Sequence, residues 1–440
     1  MQGTRHGDVA TLPRERRWAP AAPAEKPTTK RRAQHRLLTV TVLALPFSYI
    51  PLELVPTRVS VTLVVFALVV ATGIRYGVLR QRPGALEAVT LLFSAYIFVR
   101  LTALAALQSG AGAIDVGEAL SATLAPIGGV ILYRVARRDD TKDACLRALR
   151  WMLVMLAVIA GYQAVVGLDW LQSRGYTDGF YYFTFDGDYR AFGTFLSPTV
   201  FGAFLAVVGA ALVCMAPTIR GALIWLGVAI VPLALTETRA AWIAFGVALL
   251  AGWLLRSRAR PAYLTLGVAA AVWGIAFIAW LAPQAVGTMV ARLATVTDSG
   301  FSSNLARVHL WEGALDVTLS QSPIIGLPAD EFVRRVGMLA GKYAEFGHAH
   351  SNFLQILFLY GTIGLVLFVA ILLISFGGSL RMIAAGQNLP WAYGGIAAIV
   401  AFAIDSAFET SWTSFSMNAL LYLLIGLGHA RAGTEKLSIA

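Results

Sequence analysis

Charge is scarce in this chain. Asp, Glu, Lys and Arg make up only 13% of its 440 residues, against roughly 25% in a soluble domain. That shortage excludes an ordinary soluble globular protein. Cysteine is nearly missing too. Cys145 and Cys214 are the only two; one is expected in a basic loop and the other at the end of an apolar run, so no disulfide framework is implied. No Gly-rich phosphate loop, nucleotide-binding motif or internal repeat is present. An enzyme of this composition therefore has no cytoplasmic energy source of its own and needs a substrate that arrives already activated. No small-residue cleavage site precedes the first apolar run near Leu37, so a cleavable signal peptide is not expected.

What is abundant is apolar sequence, 58% of all residues. The expected fold is all-α, a polytopic membrane protein of about twelve transmembrane helices. The expected spans are 37–55, 57–74, 85–108, 116–135, 149–168, 191–215, 219–237, 239–256, 262–282, 351–375, 390–409 and 411–430. Residues 1–36 read as a disordered basic cytoplasmic tail. Residues 37–282 hold helices one to nine, and 283–350 a large outer-face loop with helical text such as NLARVHLWEGALDVTLSQ. Residues 351–430 hold the last three helices, and 431–440 a second cytoplasmic tail.

The net charge of +11 does not point to nucleic acid, because its distribution follows the membrane. Arg75, Arg80, Arg82, Arg134, Arg137, Arg138, Lys142, Arg147, Arg150, Arg220, Arg256, Arg258, Arg260 and Arg381 all fall on the side of the basic tail. The loops near Glu53, Asp115 and Asp169–Asp188 are acidic or nearly free of Lys and Arg. Cytoplasmic loops carry the excess of Lys and Arg, so both termini are expected in the cytoplasm.

The stretch Glu345–Leu365, EFGHAHSNFLQILFLYGTIGL, changes from polar to membrane helix at His348 and His350. Ser351 and Asn352 are N-cap types, and an apolar run to about Ile374 follows. His350 thus stands at the mouth of a membrane helix. A His there can be neutral near pH 7 and accept a proton from a hydroxyl; the alternative is a His that merely caps the helix. Gly361 and Gly364 lie roughly 16 Å further down at 1.5 Å per residue, where small residues let a neighbouring helix approach.

Other polar residues sit close to hydrocarbon. Arg239 follows Leu235-Thr-Glu-Thr in a turn too short to leave the membrane boundary. Such an Arg is costly unless it is paired, with Glu237 for example, or functional. Arg307 lies on the amphipathic text of the outer loop, where Glu312 or Asp316 are alternative partners and Arg292, Arg334 and Arg335 compete for the same role. Arg190 opens RAFGTFLSP. Asp405 and Glu409, four apart, share one helix face; they orient a hydroxyl, pair with Arg239 or Arg190, or cap the outer connection. His348, His350 and His309 are a weak zinc candidate, with no third ligand fixed by spacing.

The pattern His350-Ser351, nine residues, then Gly361-Thr-Ile-Gly364 resembles the O-antigen ligase and polymerase superfamily of bacterial membrane glycosyltransferases. So do Arg239 ahead of Ile243 (Leu in the family pattern), the set Arg307, Trp311, Pro323 and Gly326, the set Arg190, Gly193 and Pro198, and the Asn352-Phe-Leu-Gln355 turn. The resemblance implies a multi-pass protein of the bacterial plasma (inner) membrane. It would move a glycan from a polyprenyl (undecaprenyl-type) diphosphate carrier to a glycan, lipid or protein acceptor on the outer face, as in lipopolysaccharide biosynthesis. It places Arg239 and Arg307, with Arg190, on the diphosphate, and His350 as base. His348, Asn352, Asp405 and Glu409 would support them. Arg forks bind phosphate oxygens and stay protonated, and the donor already carries its activation, so neither metal nor cofactor is required. In-line attack predicts inversion. Within the superfamily a polymerase or a protein O-oligosaccharyltransferase is the alternative. A transporter or lipid flippase is the rival from another class, and it would be expected to show paired halves.

Overall fold

The computed structural model describes residues 29–47, 59–107, 116–173, 184–185, 188–195, 197–257, 302–337 and 347–430. Among these, twelve α-helices account for nearly all the regular structure. They are α1 (Thr29–Ala44), α2 (Val59–Tyr76), α3 (Ala85–Leu107), α4 (Val116–Ala136), α5 (Lys142–Ser173), α6 (Pro198–Met215), α7 (Ile219–Leu235), α8 (Arg239–Ser257), α9 (Ser302–Gln321), α10 (Asn352–Ala384), α11 (Leu389–Asp405) and α12 (Phe415–Gly428). A two-residue hairpin pairs Thr184–Phe185 with Asp188–Tyr189.

Five stretches are long and apolar enough to cross a membrane: Ala85–Ala103, Asp139–Gly167, Pro198–Met215, Arg239–Arg256 and Asn352–Ala384. Shorter apolar helices accompany them at Val61–Tyr76, Ala122–Ala136, Ile219–Leu235, Leu389–Asp405 and Phe415–Gly428. The expected ninth span, 262–282, lies outside the described residues, as do most of the aromatic residues of the 169–190 segment.

Several boundaries differ from expectation for local reasons. α1 already begins at Thr29, so Lys30–Arg36 lengthen the first helix. α5 begins at Lys142, which places Cys145 buried in its first turn rather than in a loop. α6 begins only at Pro198, because Ser197 caps it by accepting from the Val200 N–H at 3.3 Å, and Pro suits a first helical position. α11 stops at Asp405, which leaves Glu409 in the connection to α12.

α11 is the centre of the bundle. It packs on α6, α8, α10 and α12, while α12 also runs along α4. Small residues permit the close approach: a Cβ added at Gly252 would lie 2.5 Å from the Cys214 sulfur, and one at Gly394 2.3 Å from Met215. These contacts, with Gly426 against Tyr133, align the helices so that basic residues share one end. There Arg134 pairs with Glu87 at 3.1 Å and Lys142 with Asp139 at 2.6 Å, and Arg256 donates to the Ala216 carbonyl at 2.9 Å. The starts of α6, α8 and α10 and the 406–414 connection gather at the other end.

α10 is broken at Gly361, whose backbone (φ 63°, ψ −167°) lies where only glycine is comfortable. The loop after α9 fills the break. The Leu327 N–H donates to the Phe358 carbonyl at 2.6 Å, and the N–H groups of Thr362 and Ile363 donate to Pro323 and Ile324 at 2.9 and 3.3 Å. What approaches Gly361 is therefore this loop, not a neighbouring helix: a Cβ there would sit 2.1 Å from the Ile324 carbonyl oxygen.

Candidate functional site at the mouth of the tenth helix

The site is built on the first turn of α10. Ser351 caps the helix, accepting from the Leu354 N–H at 3.5 Å. This leaves His350 just outside the helix with φ +46°, an uncommon conformation for a non-glycine residue. Its loop is held from several directions. The Trp311 indole N–H of α9 donates to the Ala349 carbonyl at 2.8 Å. The Ala349 N–H donates to the Gln355 side-chain oxygen at 2.9 Å. Asn352 is buried; its side-chain NH2 donates to the Ser406 hydroxyl at 2.8 Å and its oxygen accepts from the Trp412 N–H at 2.9 Å. Asn352 therefore locks the head of α10 to the α11–α12 connection, and Gln355 reaches back to the His loop.

That connection carries Glu409, which is buried and faces both His350 and Arg307. His350 Nδ1 lies 3.5 Å from one Glu409 oxygen, and Arg307 Nη2 lies 3.9 Å from the other. Burial pushes the Glu409 carboxyl up. The His350 ring, Arg307 and His348 outweigh it and hold the group down at about 2. The carboxylate is therefore ionised throughout the physiological range.

His348 stands beside this pair. Its ring centroid is 4.2 Å from that of His350, and its Nδ1 is 3.2 Å from the Thr410 hydroxyl. Desolvation first, then repulsion from His350 and Arg307 against an opposing pull from Glu409, lowers it to about 4, so it is neutral near pH 7. Asp405 is fully buried at the end of α11, one turn before Glu409.

Arg190 and Arg239 are grouped around the turn between α7 and α8. Arg190 donates to the Thr236 carbonyl and to the Thr238 hydroxyl, both at 2.9 Å. The turn itself is tight, with Glu237 at φ +49°. Arg239 is the first residue of α8 and half-buried. Gln163 of α5 steadies the neighbouring 192–193 backbone, accepting from the Gly193 N–H at 2.9 Å. Thr238 also donates to the Pro198 carbonyl at 3.1 Å, which ties this group to the start of α6.

The structure thus joins His350, His348, Asn352, Arg307 and Glu409 in one cluster and places Arg190 with the turn that presents Arg239. Arg334 and Arg335 both ion-pair with Glu331 in the adjacent π-helical turn. Arg292 lies outside the described residues. The carboxylate pair was expected to orient a hydroxyl, to pair with Arg239 or Arg190, or to cap the outer connection; Glu409 faces His350 and Arg307. No sequence spacing links residues 307, 350 and 409, because each comes from a different element.

The comparison with known families falls on this region. Residues 222–369 match the family model described as O-antigen ligase, a stretch that includes Arg239, Arg307, His348, His350 and the Gly361–Gly364 pair. The resemblance drawn from the His350 motif is borne out there. No curated protein matches the chain.

Proposed function

From the premise that residues 222–369 belong to the O-antigen ligase domain, we propose that this protein transfers a glycan from a polyprenyl diphosphate carrier to an acceptor hydroxyl at the outer end of the bundle. Family and apolar helices together support a membrane glycosyltransferase of the O-antigen ligase and polymerase superfamily. The observation that carries the finer reading is the convergence of His350 and Arg307 on the buried, ionised Glu409.

In the proposed reaction the acceptor hydroxyl hands its proton to the His350 imidazole as its oxygen attacks the anomeric carbon. The bond from that carbon to the diphosphate oxygen breaks, and the diphosphate leaves with the electron pair. Glu409 orients the ring and stabilises the imidazolium that forms, as a buried carboxylate does for a catalytic His. Arg307 and Arg239, with Arg190 bracing the turn under Arg239, stabilise the charge that grows on the leaving diphosphate. Attack opposite the leaving group inverts the anomeric carbon. Both termini are assigned to the cytoplasmic side of a bacterial inner membrane.

A ligase is preferred over a polymerase or protein O-oligosaccharyltransferase on the His350-to-Gly361 spacing. Product analysis separates them: transfer of one block to a different acceptor supports ligation, and a ladder of lengths on the same carrier refutes it. The transporter reading draws support from the broken α10, because broken helices often expose carbonyls to ions. Here, however, the carbonyls around the break are taken by protein donors: Phe358 by Leu327, and Tyr360, Ile325 and Gly326 by side chains of α3.

A further inference from the structure

The side chains of α3 that reach the break carry a role of their own. Tyr96 and Arg100 are one helical turn apart and so lie on one face of α3. The Tyr96 hydroxyl donates to the Tyr360 carbonyl at 2.9 Å, immediately before the break in α10. Arg100 sits in the apolar text AYIFVRLTALAAL and is only 9% exposed. Its Nε donates to the Ile325 carbonyl and its Nη2 to the Gly326 carbonyl, both at 2.8 Å. A buried Arg in a membrane helix is costly unless fully engaged. Here the planar fork fits two successive carbonyls of one loop, a geometry Lys cannot reproduce.

That loop sits between the two elements that carry the proposed chemistry. It leaves α9, which bears Arg307 and Trp311, and it enters the break nine residues after α10 begins at Asn352, roughly 14 Å deep at 1.5 Å per residue. Gly326 (φ +75°) is seated on the α10 backbone so closely that a Cβ would fall 2.5 Å from the Leu359 carbonyl carbon. Irregular backbone at such depth persists only when protein satisfies it. Two fastenings therefore join α9 to α10: Trp311 on the Ala349 carbonyl near His350, and the Pro323–Leu327 loop in the break.

We propose that Arg100 is a positioning residue, which clamps the Pro323–Leu327 loop into α10 and thereby fixes the register of Arg307 against His350. It touches neither donor nor acceptor. The catalytic part of the inference rests on the glycosyltransferase reading; the clamp itself does not.

The test uses full-length protein with spin labels at Val308 and Val366, exposed positions on α9 and α10, after replacement of Cys145 and Cys214. The wild-type background should give one narrow distance. Arg100→Gln should broaden or shift it, Arg100→Lys should restore it in part, and Tyr96→Phe should have a smaller effect in the same direction. In the transfer assay Arg100→Gln should lower kcat by about 10²-fold, the scale of a small misplacement of reacting groups, with the donor KM within about twofold. An unchanged distance in Arg100→Gln overturns the clamp whatever the activity does. A raised KM with unchanged kcat overturns it too, since that marks a direct donor contact. If wild type transfers no glycan, the proposed function fails, while the spin-label distances still decide the clamp. If Arg100→Gln does not accumulate, Arg100→Lys and Tyr96→Phe give the same readouts.

Discussion

His350, Arg307 and Glu409 lie in three separate parts of the chain, and one buried carboxylate faces the other two. Glu409 is ionised because two cationic or ionisable groups face it at 3.5 and 3.9 Å, and they outweigh the cost of burial. Arg307→Ala should lower transfer by about 10²–10³-fold, the scale of losing one donor that stabilises a developing anion, and Arg307→Lys should recover part of it; steady-state transfer rates check this. The pH dependence of stability has a definite sign. Unfolded, His348 takes up a proton near its ordinary value of 6.5; folded, it does so only near 4. Between these values the unfolded state binds more protons, so stability rises with pH across that window. Glu409, lowered from 4.5 to about 2, adds the same sign below it: its contribution is present above 4.5 and lost as the pH falls toward 2. Thermal unfolding in detergent should therefore show a Tm that falls as pH drops from 6.5 to 4, and His348→Gln should lessen that slope without abolishing it. A slope unchanged in the variant would contradict the assignment.

At the scale of the element, the Gly-x-x-Gly motif acquires a mechanical meaning. Gly361 breaks α10 to admit the loop that contains Pro323 and Gly326, so two motifs separated by 34 residues are two halves of one splice. Gly361→Ala combines a left-handed backbone, on the order of 1–3 kcal/mol, with a Cβ 2.1 Å from a carbonyl oxygen. Gly77, at φ +68° with nothing within 4 Å of its Cβ, is the control. Gly77→Ala should cost only the backbone term, and Gly361→Ala should cost several-fold more or prevent accumulation, as read by Tm and by yield of monodisperse protein. The Ser351 cap beside His350, the helix that follows it and the candidate status of Arg307 were legible in the sequence, because capping residues, apolar length and an outer-loop Arg leave local marks. The splice was not, since the spacing of glycines does not say whether a helix or a loop approaches them. Arg100 was overlooked although its signal was present: a single Arg inside an uninterrupted apolar run is itself an unusual feature.

At the scale of the molecule, the described apolar runs are helical as expected, whereas the helix ends differ from expectation. α11 ends at Asp405 rather than near residue 409 because the chain must turn there to present Ser406, Glu409 and Ser411 to the head of α10. Long-range hydrogen bonds of this kind have no local sequence mark. The separation of basic and His350-bearing ends predicts topology. Gln387 is exposed between α10 and α11 at the basic end, and Val308 is exposed beside Arg307. In cells, Val308→Cys should react with a membrane-impermeant maleimide added outside. Gln387→Cys should react only after the membrane is opened. Cys145 and Cys214 are buried and should remain quiet. Labelling of both positions from one side would contradict the assigned orientation.

The central claim is that His350 takes the acceptor proton. Its most direct test is glycan transfer by the purified protein in detergent, with a polyprenyl-diphosphate glycan, an acceptor and EDTA, comparing wild type with His350→Ala. Transfer should survive EDTA in wild type and fall by about 10²–10⁴-fold in the variant, the contribution expected of a general base. Full activity in His350→Ala would contradict the claim and leave His350 as a loop residue beside the Ser351 cap.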